Sequence, residues 1–418
     1  MTARCHNPYM RKLLRDPLIL PFYVPSLAIF LGYGLLIPVL PYYAESFGVS
    51  YGWVGALASA QALGMLVTDL PSGLLLRRLG QKRAMLLGIL LMILMRVAFF
   101  WAGSIQEAFA YRLVSGFGVA LFGVARHAYV SEHAKVANRG KALALFGGLN
   151  RVGKFVGPLI GGYVAAGAGL RVPFLVSGLL ALPAVFCVMR FVPSHSAAPT
   201  ARPAEGTAHS GSPFWTMLRK QAAVLVPAGL GQIFVQMIRS GRDTIIPLYA
   251  SSVIGLDVDQ VGLMLGIAAA VEMTMFLPAG WLMDNLGRKY SYVPSFGIQA
   301  LAMALVPLTG GFGGLLACTT AIGLGNGLSS GGMMVLGADL APPHARGEFL
   351  GVWRLIGDVG GTAGPAAVGF VADALALPAA ALTMAASGLL ATLIFGLALP
   401  ETLEQAARAG PKPGSVSA

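Results

Sequence analysis

Residues Gly280–Lys289 read GWLMDNLGRK, and 207 residues earlier Gly73–Lys82 read GLLLRRLGQK. The likeness extends beyond these ten residues. Pro71 recurs as Pro278, Glu132 as Asp339, Arg139-Gly140 as Arg346-Gly347 and Gly157-Pro158 as Gly364-Pro365, all at the same offset. A register that runs without a gap over about 90 residues is the mark of an internal repeat. The chain is therefore read as two copies of one folding unit.

Composition says what that unit is made of. Of 418 residues, 56% are hydrophobic and 11% are charged, where a soluble domain carries about 25% charge. Apolar runs of about 20 residues, each long enough to cross a bilayer core as a helix, recur along the chain. A soluble all-α protein of this composition would lack the polar surface to cover itself. Twelve spans are predicted, over 18–42, 53–76, 84–102, 108–130, 142–166, 172–192, 222–249, 261–283, 291–309, 313–337, 349–373 and 378–399. Pro17–Leu40 is too long for a signal-peptide core and no small-residue cleavage site follows it, so it is expected to stay as the first span.

One connection stands apart. Pro193–Pro213 reads PSHSAAPTARPAEGTAHSGSP, with no apolar period, as a flexible linker does. The expected organisation is an N-terminal segment (1–16), a six-helix bundle (17–192), a linker (193–220), a second six-helix bundle (221–400) and a tail (401–418). Of the 29 lysines and arginines, only Arg171 falls on the face away from the termini, while Arg96, Arg112, Arg126, Arg151, Lys154, Arg239, Arg242 and Arg354 lie within spans. The rest flank the opposite face, which places both termini and the linker in the cytoplasm. The net charge of +12 thus reflects topology. A nucleic-acid partner would need basic residues gathered on a soluble module, and none is expected. Cys5, Cys187 and Cys318 are odd in number and far apart, with no disulfide framework and no metal-ligand spacing. No phosphate-cradling loop or nucleophile elbow occurs, so neither a catalytic centre nor a cofactor is expected.

Three motifs carry a resemblance to the major facilitator superfamily over essentially the full length. Gly280–Lys289 resembles the complete G-x-L-x-D-x-x-G-R-K loop of that family, with Gly280, Asp284, Gly287 and Arg288 in place. The first copy keeps Gly73 and Gly80 but has Arg77 where the family has Asp. RLVSGFG (Arg112–Gly118) resembles the span-four R-x-x-x-G-x-G motif. GKFVGPLIGG (Gly153–Gly162) resembles the span-five motif of exporters that exchange substrate for protons, and a second copy, GGTAGPAAVG, stands at Gly360–Gly369. The resemblance implies an all-α polytopic membrane protein, with two six-helix bundles related by a pseudo-twofold around a central cavity. It also implies proton-coupled export and a proton-coupling role for Arg112. The bare chemistry of Gly153, Gly157, Gly161 and Gly162 is close helix packing, and Pro158 breaks the local hydrogen-bond ladder.

Charged side chains within hydrocarbon are costly and mark pathways or partners. Gln232, Gln236, Arg239 and Asp243 fall on one face of the seventh span, where Arg239 and Asp243 can pair at i, i+4 and leave Arg242 over. Arg354 and Asp358 repeat that spacing in the eleventh span. Asn150 and Lys154 share a face in the fifth, with Arg151 beside them. Asp69, Asp243, Glu272 and Asp358 are the candidate proton carriers, since a buried carboxylate beside a cation changes protonation with its surroundings. Arg151, Lys154, Asn150, Gln232, Gln236, Arg239, Arg242 and Arg354 are the candidate substrate-binding groups. Asp69 or Glu132 could take the place of the carboxylate missing from the first loop, and Asp284 is expected to pair with a nearby cation or helix N-terminus. Phe22, Tyr23, Phe30 and Tyr33 either line a cavity or face lipid, and His127 is a candidate titrating group. The charged residues among these could equally be salt bridges that hold helices in register.

The leading expectation is a monomeric secondary transporter in a bacterial-type inner membrane. It would export a small amphipathic or anionic compound in exchange for protons. An organic-anion importer using proton symport is the alternative, and a non-transporting receptor or scaffold the remote one.

Overall fold

The computed structural model describes residues 18–133, 139–193, 222–342 and 346–402. The expected N-terminal segment, nearly all of the linker and tail, and Cys5 lie outside the described residues. The described chain is helical throughout. Helices α1 (Val24–Leu36), α2 (Val39–Glu45), α3 (Tyr51–Trp101), α4 (Ile105–His133), α5 (Arg139–Ala168), α6 (Val172–Leu180) and α7 (Leu182–Phe191) precede the linker. Helices α8 (Ala222–Tyr249), α9 (Val258–Thr274), α10 (Phe276–Asn285), α11 (Arg288–Leu305), α12 (Phe312–Leu328), α13 (Gly332–Leu340), α14 (Arg346–Ala374) and α15 (Leu377–Leu393) follow it.

Among the described residues, nine helices are long and apolar enough to cross a membrane, and each falls on a predicted span. The other three predicted spans are helical but too polar or too short to qualify. The first arm of α3 is diluted by Ser59, Gln61 and glycines, and α5 carries Asn150, Arg151 and Lys154. The interval 313–337 is cut between α12 and α13 at Gly331, which has φ 74°.

The chain divides into two compact units. One holds residues to Val49, Ala56–Glu205 and Asp257–Gly266, and the other holds Ser50–Gly55, Gly206–Leu256 and the chain from Ile267. The first unit packs Phe22, Met85, Ile89, Met92, Phe122 and Tyr129 into one core, and the second packs Val235, Phe296, Leu336, Trp353 and Phe395. Leu277, Leu308 and Leu397 are about four-fifths exposed, as a lipid-facing surface allows. Lipid is as apolar as a leucine side chain, so close packing and hydrogen bonds must hold these helices together.

That packing follows the repeat. A Cβ on Gly157 of α5 would lie 2.6 Å from Gly34 Cα of α1, and a Cβ on Gly364 of α14 would lie 2.9 Å from Gly241 N of α8. Gly118 meets Gly88 and Met92 within the first unit, and Gly325 meets Ser295 and Gln299 within the second. Gly162 meets Val258 and Gly262, and Gly369 meets Tyr51 and Gly55. Every one of these partners is displaced by the same 207 residues, so the duplicated sequence builds duplicated helix contacts. Pro158 and Pro365 sit inside α5 and α14, as expected of ladder-breaking positions.

Candidate substrate and coupling site

The second unit gathers most of the charged candidates. On α8, Arg242 directs Nε to Asp243 Oδ1 at 3.4 Å and Nη2 to Glu272 Oε2 of α9 at 3.3 Å. The side chains of Arg242 and Glu272 are only 12% and 13% exposed. Arg242 is therefore not the surplus cation that the α8 spacing suggested, because two carboxylates bracket it. A buried cation is tolerable on those terms, whereas removing one partner of such a pair costs about 3–5 kcal/mol.

Arg239 donates from Nη2 to Ser329 Oγ at 2.7 Å and lies 5.7 Å from the centre of the Phe296 ring. Gln232 is buried, and its Oε1 has no hydrogen-bond partner among the described residues. Gln232 and Gln236 both pack on Gly357 of α14, where a Cβ would come within 2.8 Å of Gln232 Nε2. The polar stripe on α8 thus faces α14. On that helix Arg354 and Asp358 make the expected i, i+4 pair at 3.6 Å.

The first unit holds the remaining candidates. Asp69 Oδ1 and Arg151 Nη1 are buried atoms lacking a hydrogen bond, although both side chains make other interactions. Asn150 and Lys154 are half-buried on α5. Arg112 is 9% exposed, and its Nε has no hydrogen-bond partner among the described residues. His127 donates Nδ1–H to Gly123 O at 2.7 Å along its own helix.

The structure adds a group that the sequence analysis left as one cation among eight. Arg126 Cζ lies 4.2 Å from the Phe146 ring centre, 5.1 Å from Phe122, 5.8 Å from Phe30 and 6.0 Å from Phe22. Such an aromatic enclosure favours a cation through the ring quadrupoles. The only sequence signal was Phe122 at i−4. Phe22 and Phe30 come from another helix turn, far away in the chain.

The loop motifs are built differently in the two units. Gly287 has φ 124° and Gly80 has φ 76°, so each copy needs glycine for its left-handed turn. After Gly287, Arg288 bonds to Asp284 Oδ1 at 2.9 Å, to Met283 O at 2.7 Å and to Asp339 Oδ2 at 3.3 Å. The expected Asp284 pair forms, but that carboxylate is 74% exposed, against 14% for Asp339. Glu401 accepts the backbone N–H groups of Arg288 and Lys289 at 2.8 and 3.0 Å. A carboxylate at a helix N-terminus satisfies orphan donors and the helix dipole together. In the first unit Gln81, the counterpart of Arg288, donates to Glu132 at 2.6 Å, and Arg77 is exposed. Gly73 and Gly280 have open space where a Cβ would go.

Comparison with known proteins bears on this geometry. The Major Facilitator Superfamily model matches residues 26–271 and 228–417. An uncharacterized MFS-type transporter of Methanocaldococcus jannaschii, MJ1560, is 22% identical over 359 residues, covering 85% of this chain and 91% of its own. Multidrug resistance protein 2 of Bacillus subtilis is 26% identical over 262 residues, covering 62% and 65% respectively. The crystal structure of a mutant of the nucleoside transporter NupG superposes with a TM-score of 0.74 at 14% identity, covering 92% of this chain and all of that one.

Proposed function

The chain belongs to the Major Facilitator Superfamily, a class of transporters and not of enzymes, and from that premise we propose that it is a proton-coupled exporter of a small amphipathic or anionic organic compound. That it is an all-α, multi-pass secondary transporter follows from the family and the fold. The proposal concerns coupling, direction and substrate. In this reading twelve spans form bundles at 17–192 and 221–400, and both termini lie in the cytoplasm of a bacterial-type inner membrane. A monomer then works by alternating access about a midplane site.

One observation carries the reading. Arg242, Asp243 and Glu272 form a part-buried ionic cluster at positions whose counterparts, 207 residues earlier, are Leu35, Leu36 and Met65. The scaffold does not need charge there, since the other copy of the fold does without it. Glu272 is the strongest proton carrier. Its protonation would release Arg242 to Asp243 alone and so bias the packing of α9 against α8, a change that can favour one state of a transport cycle. Gln232, Gln236 and Arg239 on the same helix are the groups to hold substrate, with Asn150, Arg151, Lys154 and Arg354 as further contributors. The likeness to a multidrug resistance protein supports export. So does the span-five glycine motif.

The test begins with thermal-shift screening of the purified protein against anionic, neutral and cationic compounds, since a ligand of the folded state raises its stability. A hit is then followed in proteoliposomes under an imposed pH gradient. Exchange predicts uptake driven by an acidic lumen, and Glu272→Gln should abolish that drive while leaving gradient-free counterflow. Uptake driven instead by external acid would establish the second reading, anion import by symport, which the buried Arg96 and Arg112 of the first unit favour. Indifference to either gradient would refute proton coupling.

A further inference from the structure

We propose that Arg96 and Arg112 form a binding site for a small monovalent anion inside the first unit. Both are more than nine-tenths buried, at 5% and 9% exposure. The packing of α3 on α4 sets them at one level. Gly88 and Met92 meet Gly118, and Phe99 meets Tyr111 with ring centres 6.1 Å apart. In that antiparallel register Arg96 falls opposite the turn of Arg112, and the two guanidinium groups are within electrostatic reach of each other. Arg112 lies seven residues into α4, about 10 Å along the helix axis.

Two like charges buried within electrostatic reach of each other should repel and should be costly to desolvate. The fold does little to offset this. Arg96 gives Nη1 to Ser177 O of α6 at 3.2 Å, one contact for a group with five N–H donors. Among the described residues, Arg112 Nε has no hydrogen-bond partner and no carboxylate pairs with either arginine. The neighbouring α1 makes room with Gly32, where a Cβ would lie 2.9 Å from Arg96 Nη1. The next residue, Tyr33, is within electrostatic reach of Arg112.

The duplicated copy shows that the scaffold does not require these cations. Their counterparts in the second unit are Met303, fully buried, and Thr319, whose hydroxyl turns back to Leu315 O. Two forked cationic donors that pair with no carboxylate among the described residues suit a monoanion such as a carboxylate or a halide, which guanidinium groups bind through charge-assisted bonds. The anion can be the acidic group of a transported compound or an inorganic ion. The site does not depend on the coupling cluster of the second unit, and it stands even if transport ignores pH gradients.

The experiment is thermal unfolding and calorimetric titration of the purified full-length protein at fixed ionic strength. Sodium chloride forms one arm, sodium benzoate another and a choline salt of the background anion a control. A saturable rise in melting temperature, with one-to-one stoichiometry, is expected in the chloride arm, the benzoate arm or both. The arm that responds identifies the source. Arg112→Gln and Arg96→Gln should each weaken binding by about tenfold or more, while Arg171→Gln, an exposed cation elsewhere, should leave it intact. If the glutamine variants do not fold, Arg112→Lys keeps the charge but loses the fork and should still weaken binding measurably. No saturable response in either arm overturns the site, and so does an unchanged affinity in the arginine variants.

Discussion

The turn at Gly80 and the turn at Gly287 both take a positive φ but differ in electrostatics. In the first unit Gln81, a neutral amide, reaches Glu132. In the second, Arg288 holds Asp339 and Asp284, while Glu401 takes the N–H groups that begin α11. The same contrast appears deeper in the units, where Leu35, Leu36 and Met65 face the roles of Arg242, Asp243 and Glu272. The glycine contacts at Gly157 and Gly364, Gly118 and Gly325, and Gly162 and Gly369 are shared between the copies, and these ionic contacts are not. The lesson is a division of labour in which the repeat supplies the frame and the differences between copies supply the chemistry.

That division can be broken deliberately, and the largest effect should come from Arg242. Arg242→Leu imposes the residue of the first copy and leaves Glu272 and Asp243 buried without their cation. It should cost about 3–5 kcal/mol of stability, read from denaturation in detergent micelles. The triple variant Arg242→Leu, Asp243→Leu, Glu272→Met copies the whole apolar trio. It should recover most of that stability, because apolar replacement of a buried ionic group is often neutral or better. Proton-driven transport should not return with it. A triple variant as unstable as the single one would mean that the second unit needs these charges to fold.

The loops offer smaller and graded effects. Asp339→Asn should cost about 1.5–3 kcal/mol, since its partner is charged and both side chains are largely buried. Glu132→Gln, facing a neutral amide, should cost no more than about half as much. Equal losses would dissolve the contrast between the two loops. Glu401→Gln removes a helix-capping carboxylate and should cost about 1 kcal/mol. Asp284→Asn comes last, at or below about 0.5 kcal/mol, because its carboxylate is 74% exposed and water screens the pair. Transport rates should rank these loop variants in the same order.

Much of this was legible in the sequence, for identifiable reasons. A repeat offset survives folding, so Gly157 against Gly34 and Gly364 against Gly241 follow the same arithmetic as the motifs themselves. The Arg354–Asp358 pair was legible because i, i+4 spacing fixes its proximity within one chain segment, while the partner of Asp284 was left open between a nearby cation and a helix N-terminus and is Arg288. Glu272 as the partner of Arg242 was not, since it sits on another helix 30 residues away and periodicity says nothing of which faces meet. Glu401 was missed for the same reason, being 113 residues from the turn it caps. Of the three predicted spans that do not qualify as apolar crossing helices, 53–76 and 142–166 carry glycines, amides or cations, and 313–337 is cut at Gly331.

The enclosure of Arg126 by four phenylalanine rings has a consequence for what the first unit can admit. A guanidinium keeps its proton across the physiological range, so acidity cannot empty this aromatic box as it can neutralise a carboxylate. A quaternary ammonium or a flat cationic dye entering there would have to displace a tethered rival of the same sign, always present at high local concentration. Arg126 thus already fills this cluster of rings with a cation of the chain's own.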